Sequence, residues 1–369
     1  MDQTSHNMDS VVNADQPRNL ETFDSLVIDS KGNYSRTNNE ANIKLRDALQ
    51  NAYTSSNTSI QSVLVTSSGM NAIFLLIQAL AKRYKEIDVI YPEEIYCDTP
   101  KTFEYIEGVT PISFPVGDYE EMKRLVNYPG YKQTVLFVES CSNPNSVPFD
   151  FQLMGFLKAQ NVITIVDNTW LTHLMCNPFE YGVDFVILSL TKYYSGGSAI
   201  CGAILSGGQT EYFQNTGWMT LMDEIFQYIK RSGIHISPYH CQLVVDGLLT
   251  MKYRLTYSSE LTEKVIDYIS TYYSNKVVKI CLTPRYNGLI GSVFTVYIPL
   301  VGVSRSAITK KCKNNPHIEF KTSYGSKLSR FDPFNGKDQQ SNCVIIRIAI
   351  GYEDTFENIT KGLDMFFDF

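Results

Sequence analysis

Residues 185–197 of this chain have the sequence FVILSLTKYYSGG, in which an apolar run ends in a cluster of polar residues. An uninterrupted apolar run of this length is typical of a strand that is buried on both faces. Comparable runs occur at SVLVTSS (62–68), IDVIYPE (87–93), TVLFVES (134–140), VITIVDN (162–168) and GAILSG (202–207). Helix-compatible stretches separate them, so the pattern predicts an α/β fold with a mainly parallel sheet.

The chain has 369 residues, which exceeds what one hydrophobic core normally organises. The order of helix-like and strand-like segments changes after about Ile236. There a long helix-compatible stretch is followed by further strand-like runs and a last helix-like segment. We predict a polar N-terminal arm (1–43), a large domain (44–235) and a smaller C-terminal α+β domain (236–369). The arm carries little apolar periodicity, so we expect it to contact a neighbouring subunit.

Composition excludes several classes of protein. The formal net charge is −6, from 32 Lys and Arg against 38 Asp and Glu, which argues against a nucleic-acid partner. The apolar runs fall far short of the roughly 20 residues that span a bilayer, and residues 1–25 resemble no targeting signal. The eight cysteines are scattered without metal-binding spacing. We therefore expect a cytoplasmic protein without a membrane partner and without a metal site.

Ligands of open parallel sheets bind beyond the carboxyl ends of the strands, and four of the predicted strands end in polar residues. At the first of these ends, in VLVTSSGM, residues Ser68, Gly69 and Met70 separate a strand from a helix. Backbone N–H groups and the helix dipole make such a turn a phosphate site, and the glycine permits close approach. An ordinary serine N-cap is the alternative interpretation.

The other three strand ends supply candidate catalytic groups. VLFVESCSNPNS offers Glu139 and Asn143, ITIVDNTW ends in Asp167, and FVILSLTK ends in Ser189, Thr191 and Lys192. A lysine can form a Schiff base with an aldehyde, and an aspartate can hold a pyridine nitrogen protonated, which together are what pyridoxal phosphate requires. A helix-capping aspartate and a surface lysine are the structural alternatives.

In these segments, and in consistent order from about Tyr34 to Glu353, the chain resembles the Cys/Met-metabolism family of pyridoxal-phosphate enzymes. That family includes cystathionine γ-synthase, cystathionine γ-lyase and methionine γ-lyase. The resemblance implies a fold-type I transferase, in which a large domain with a mainly parallel, seven-stranded sheet precedes a smaller C-terminal α+β domain. It also implies pyridoxal 5'-phosphate as cofactor, and γ-elimination or γ-replacement on an amino acid of sulfur metabolism.

The resemblance assigns a role to each matching residue. Lys192 would carry the cofactor, Asp167 would pair with its ring nitrogen, and Tyr96 of EEIYCDTP would stack on the ring and assist proton transfer. The implied cofactor contacts are Tyr34, Arg36, Ser68, Gly69, Met70, Tyr96, Asn143, Asp167, Ser189, Thr191 and Lys192.

Three implications concern subunits and substrate. Tyr34 and Arg36 of YSRTNNEAN would complete the phosphate site of a neighbouring subunit, which implies a homodimer or homotetramer with shared sites. Arg347 of VIIRIAIGYED would clamp the α-carboxylate of the substrate. Ser323 of KTSYGS would add a second carboxylate contact.

The chain also departs from the family pattern. Gly197 and Ala199 of SGGSAICGA replace a histidine and an acid, and Thr322 stands where several relatives have an acid. A β-eliminating or divergent member therefore remains an alternative. So does a catalytically degenerate homologue that serves as a subunit or regulator. An aminotransferase-like or sugar-modifying enzyme of the same superclass is a further alternative, against which the YSR and SSGM segments argue. The substrate itself is not identified by the sequence.

Overall fold

The computed structural model describes residues 39–128, 132–208, 217–334 and 342–369, which form two β-sheets with helices packed on them. The large sheet has seven strands in the order β1-β7-β6-β5-β4-β2-β3. Its strands are β1 (Ser59–Thr66), β2 (Ile87–Pro92), β3 (Val109–Phe114), β4 (Gln133–Glu139), β5 (Ile163–Asp167), β6 (Phe185–Ser189) and β7 (Gly202–Gly208).

Pairing within this sheet is parallel from β3 through β6, whereas β7 pairs antiparallel with both β1 and β6. The predicted fold class, a mainly parallel seven-stranded sheet with a smaller second sheet, is confirmed. All six quoted runs contain a strand. The sequence analysis missed β3, because VTPISF at the sheet edge contains polar residues and a proline.

Helices connect the strands and cover both faces of the sheet. They are α1 (Glu40–Tyr53), α2 (Gly69–Tyr84), α3 (Thr99–Glu104), α4 (Tyr119–Val126), α5 (Met154–Ala159), α6 (Thr172–Met175) and α7 (Trp218–Ser232). Single 3₁₀ turns lie at Phe151–Leu153 and Pro178–Tyr181. Side chains of Asn39, Ser68 and Asp118 cap α1, α2 and α4, because each accepts a hydrogen bond from a backbone N–H of the first turn.

The small sheet has five strands in the order β10-β11-β12-β9-β8. Its strands are β8 (Lys279–Leu282), β9 (Val293–Pro299), β10 (Glu319–Phe320), β11 (Arg330–Phe334) and β12 (Cys343–Ala349). The accompanying helices are α8 (Pro238–Tyr272), α9 (Arg305–Lys313) and α10 (Phe356–Phe367). Within the described residues, no helix is both long and apolar enough to cross a bilayer. The domain boundaries stay a prediction, although α1 already begins at Glu40, three residues before the predicted end of the arm.

Alternating side chains of the central strands enter two different hydrophobic clusters. Val138 and Val166 point into one cluster, whereas Phe137 and Ile165 point into the other. Because both faces are covered, these strands are apolar along their whole length and become polar only at their ends. Polar side chains that can act on a ligand are therefore confined to the ends of these strands.

Asp184 is a buried carboxylate at the start of β6, at the edge opposite the strand ends discussed below. It accepts hydrogen bonds from the backbone N–H and the hydroxyl of Thr164, both at 2.9 Å, and from Trp218 Nε1 at 3.3 Å. Burial raises the pKa of Asp184, and these donors counteract that rise. The side chain therefore joins β5, β6 and α7 through one acceptor group.

Replacing Asp184 by alanine should lower the free energy of unfolding by about 2–4 kcal/mol, because it leaves buried donors on Thr164 and Trp218 unpaired. Urea denaturation followed by circular dichroism measures the change. Glu357→Ala is the control, since it removes only an exposed partner of Lys361 and should change stability by less than about 0.5 kcal/mol. Equal effects of the two variants would contradict the role assigned to Asp184.

Candidate active site

The candidate site lies where β4, β5 and β6 end. Glu139 and Asp167 are the last residues of neighbouring parallel strands and lie opposite each other in the register, and Ser189 ends β6. Strand β1 runs parallel to β6, so the Ser68–Met70 turn lies at the same edge. The four polar strand ends that the sequence indicated are thus brought together.

The turn after β1 is built closely against the end of β6. A Cβ added to Gly69 would lie 2.8 Å from Ser189 Cβ, so glycine is required for this approach. Ser68 Oγ accepts from the N–H of Asn71 at 3.1 Å, so the serine does act as an N-cap. The N–H groups of Gly69 and Met70, at the first two helical positions, have no acceptor within the helix and remain available to an anion.

The hydroxyl of Thr191, two residues after β6, already takes part in hydrogen bonds within the chain. Its hydroxyl donates to the carbonyl of Cys201 at 3.2 Å and accepts from the N–H of the same residue at 3.1 Å. The backbone N–H of Ser189 donates to Thr169 Oγ1 at 2.7 Å, which orients the end of β6. If Thr191 contacts a phosphate, the same hydroxyl must serve both the phosphate and Cys201.

Asp167 is a partly buried carboxylate whose Oδ1 accepts a hydrogen bond from the backbone N–H of Thr169 at 2.9 Å. Burial raises the pKa of Asp167, whereas the hydrogen bonds from Thr169 and the charge of Lys192 lower it. Asp167 also raises the pKa of its strand neighbour Glu139, although burial is the larger cause there. A cation at this point would favour the ionised form of Asp167.

Lys192 follows β6 and lies in the middle of the cleft. Burial is the main cause that lowers its pKa to about 8, and the charges of Arg347 and Arg330 act in the same direction. Nζ donates a hydrogen bond to Ser323 Oγ at 2.6 Å and lies 5.3 Å from the centre of the Tyr324 ring. Ser323 has a φ of 85°, a conformation that serine rarely adopts, so the hydroxyl is held towards the lysine by an unusual backbone.

Arg347 lies on β12, with only 5% of the residue exposed. Its Nη2 bonds Asp332 Oδ2 at 2.5 Å, and its Nη1 donates to Asn143 Oδ1 at 2.9 Å. We expected a substrate to supply the anion for this arginine, but the chain itself supplies one in Asp332.

Tyr96 lies in the loop after β2, at the rim of the cleft, and 41% of it is exposed. Its backbone N–H donates to Glu139 Oε1 at 2.7 Å, so the buried carboxyl group positions the loop that carries the ring. The charge of Arg347 reaches the phenol and counteracts the rise in its pKa that burial causes. The ring therefore lies on the side of the cleft that faces Arg347.

Nine of the eleven cofactor residues implied by the sequence lie in this cleft, together with Arg347 and Ser323. Tyr34 and Arg36 lie outside the described residues, so their assignment stays a prediction. Sequence reasoning left three residues of the cleft without a role, namely Glu139, Tyr324 and Asp332. Glu139 carried a signal, since it ends a buried strand, whereas the other two depend on how the small sheet docks.

The residues fit pyridoxal phosphate. Asp167 is a partly buried carboxylate that a protonated ring nitrogen would neutralise, and the turn at Gly69 presents N–H groups suited to a phosphate. The lowered pKa of Lys192 gives its amine a larger uncharged fraction near neutral pH than an ordinary lysine has. Each requirement of the cofactor is met by a group at one edge of the large sheet.

Comparison with known proteins agrees with this geometry. A sequence model described as Cys/Met metabolism PLP-dependent enzyme matches residues 20–288. The chain is 21% identical over 352 residues to the chloroplastic cystathionine β-lyase of Mimosa pudica, covering 92% of this chain and 72% of that protein. It is 27% identical over 231 residues to the cystathionine γ-synthase of Haemophilus influenzae, covering 61% of this chain and 57% of that protein.

Solved structures agree on the fold. A Campylobacter jejuni protein assigned as an O-acetylhomoserine (thiol)-lyase, which contains a pyridoxyl-lysine phosphate, has a TM-score of 0.76 at 19% identity and covers 91% of this chain and 87% of its own. Cystathionine γ-synthase of Xanthomonas oryzae has a TM-score of 0.74 at 19% identity, covering 90% and 87%. Since the family model spans most of the sequence, this chain belongs to the Cys/Met metabolism family of pyridoxal-phosphate-dependent enzymes.

Proposed function

We propose that this chain is an enzyme of sulfur amino-acid metabolism that catalyses γ-elimination or γ-replacement on a sulfur-containing or O-activated homoserine-type amino acid. The observation that carries the proposal is the position of Lys192. Its amine, with a pKa lowered to about 8, lies within the electrostatic reach of both Asp167 and Arg347. The nucleophilic amine of Lys192 thus lies near both Asp167, the proposed partner of the ring nitrogen, and Arg347, the proposed carboxylate-binding group.

Pyridoxal phosphate, when bound, supplies an aldehyde that joins an amino group and a ring that stabilises negative charge at Cα. The protein would hold its phosphate with the turn at Ser68–Met70 and the hydroxyl of Ser189. Asp167 would keep the ring nitrogen protonated, and Asn143 would lie beside the ring oxygen. Tyr96 would cover the open face of the ring from the rim of the cleft.

Two groups of the chain then act on the amino acid. Arg347 would bind its α-carboxylate and thereby present the Cα proton to Lys192. The lysine, once its Nζ is free, would take that proton and return it to a leaving group on the side chain. Ser323 Oγ accepts a hydrogen bond from the same Nζ at 2.6 Å, which would help to orient the amine for proton transfer. The carboxylate contact that the resemblance implies for Ser323 stays a prediction.

β-Elimination is the second candidate, since relatives of this chain are named cystathionine β-lyases. The two reactions cleave cystathionine differently. Loss at Cγ leaves a keto acid of four carbons, whereas loss at Cβ leaves one of three carbons. Incubating the holoenzyme with cystathionine and identifying the keto acid by mass spectrometry separates them, with Lys192→Ala as the inactive control. γ-Replacement is tested by adding cysteine together with an O-acyl homoserine and looking for the thioether product. Absence of both keto acids from cystathionine, methionine and O-acyl homoserines, together with absence of the thioether, would refute the proposal.

Assembly and location complete the proposal. A homodimer or homotetramer with shared sites is supported by Tyr34 and Arg36, whose match to the family segment is the only argument for it. A cytoplasmic location is supported by the eight free cysteines, since disulfides are rare in that compartment.

The lowered pKa of Lys192 predicts how cofactor attachment depends on pH. Only the uncharged amine attacks the aldehyde, so attachment should become faster as the pH rises through about 8. Between pH 7 and pH 9 the rate should increase about tenfold and then level off, whereas an ordinary lysine would gain about 100-fold without levelling. Adding pyridoxal phosphate to the apoprotein and following the visible band measures the rate.

Lys192→Ala is the control for that experiment and should form no covalent band at any pH. A band in this variant would exclude Lys192 as the attachment point. A rate that still rises steeply above pH 9 would show that the cleft does not lower the pKa of the amine.

Asp167→Asn should retain the cofactor but slow proton removal from Cα by at least ~100-fold, because a neutral amide no longer stabilises the protonated ring. Exchange of the Cα proton of an amino acid with deuterium from solvent, followed by NMR, measures this step. Asp246→Asn is the matched control, since Asp246 is an exposed carboxylate of α8 that bonds Gln242. Wild-type exchange in Asp167→Asn would mean that Asp167 does not contact the ring.

Arg347→Ala should raise the apparent Kd of an amino acid by at least ~30-fold, which corresponds to the about 2–5 kcal/mol of a lost charged contact. The band of the cofactor alone should stay unchanged. Arg124→Ala is the control, because Arg124 is an exposed arginine of α4 that pairs with Glu121 and makes none of the contacts described for the site. If both variants bind the amino acid equally well, Arg347 is a structural residue.

A further inference from the structure

The hydrogen-bonding groups of Arg347 are largely occupied by the chain itself. Nη2 donates a hydrogen bond to Asp332 Oδ2 and lies 3.4 Å from Thr322 Oγ1. Nη1 donates a hydrogen bond to Asn143 Oδ1. Nε is buried and has no hydrogen-bond partner among the described residues. An incoming carboxylate would find two N–H groups that no described residue pairs with, one on Nε and one on Nη1, whereas Nη2 already bonds a carboxylate.

Strand pairing places Asp332 at this position. Strands β11 and β12 are antiparallel, and Asp332 lies directly opposite Arg347 in the register. The neighbouring residues Phe331, Ile346 and Ile348 point to the other face, into the hydrophobic cluster of the small sheet. Asp332 and Arg347 therefore share the face that lines the cleft.

Asp332 also acts on the rest of the cleft. Its charge raises the pKa of Lys192, which opposes the effect of Arg347. Only 21% of its side chain is exposed, against 6% for Arg347. Weak solvent screening means that its repulsion of another carboxylate is substantial at this distance.

We infer that Asp332 is a specificity-determining residue whose carboxylate competes with the substrate's α-carboxylate for Arg347. The inference rests on the proposed function, in which Arg347 binds that carboxylate. A substrate must displace Asp332 from Nη2 or bind beside it against like-charge repulsion. Amino acids that offer nothing beyond the α-amino and α-carboxylate groups are disfavoured, and substrates with longer side chains gain from their further contacts.

A purely structural role for Asp332 leads to the opposite expectation. If the aspartate only held Arg347 in position, its removal would loosen the arginine and weaken carboxylate binding. Competition means that removal of the charge strengthens binding. The sign of the change thus separates the two roles.

L-Alanine and ethylamine are a suitable pair of probes, because they differ only in the α-carboxylate. Each is titrated into the holoenzyme while the visible absorbance of the cofactor is recorded. Asp332→Asn should bind L-alanine at least ~10-fold more tightly than the wild type, with ethylamine unchanged. Glu319→Gln is the matched control, since it removes one negative charge from the same sheet without touching Arg347, and it should behave like the wild type.

Several results would overturn the inference. L-Alanine bound equally or more weakly by Asp332→Asn would indicate a structural role, and an equal gain for ethylamine would indicate a general charge effect. Asp332→Ser is the second variant if the first does not fold, and failure of both to fold would also assign a structural role. If neither probe changes the spectrum of any protein that carries the cofactor band, the proposed function fails, and the inference falls with it.

Discussion

Burial of opposite charges at one edge of the large sheet is the constraint on which the site depends. Both faces of the sheet are covered by apolar clusters, so Asp167 and Lys192 lose much of their hydration where the strands end. Each group then favours its neutral form, and each opposes that shift in the other. A charged ligand that binds between the carboxyl group of Asp167 and the amine of Lys192 would therefore change the protonation of both groups.

Arg347, the proposed substrate-binding residue, belongs to the small sheet, whereas the proposed cofactor groups belong to the large one. The Asn143–Asn145 segment after β4 joins them. Asn143 accepts from Arg347, the carbonyl of Pro144 accepts from Thr295 at 2.6 Å, and Asn145 accepts from Tyr297 at 2.6 Å. Because these bonds join the two sheets, this short segment helps to set the distance between Asp167 and Arg347.

The segment after Lys192 lacks the histidine and the acid of the family pattern, yet other contacts hold it. Gly196 and Gly197 have φ angles of 64° and 81°, which glycine adopts without strain. Tyr352 donates to the carbonyl of Gly196 at 2.9 Å, and the guanidinium of Arg254 lies 4.9 Å from the Tyr352 ring. The loop that positions Lys192 is therefore anchored from α8 and from the end of β12.

The fold class could be predicted from the sequence, since two-sided burial requires unbroken apolar strands and confines polar residues to their ends. Asp167 and Lys192 could be singled out as candidates, because Asp167 ends one such strand and Lys192 lies three residues after another. Strand β3 was not predicted, because its edge position relaxes the apolar pattern. The contact of Ser323 with Lys192 depends on how the small sheet docks, and the pairing of Asp332 with Arg347 depends on the register of β11 against β12. Both are set by packing between segments distant in the chain, which leaves no local pattern in the sequence.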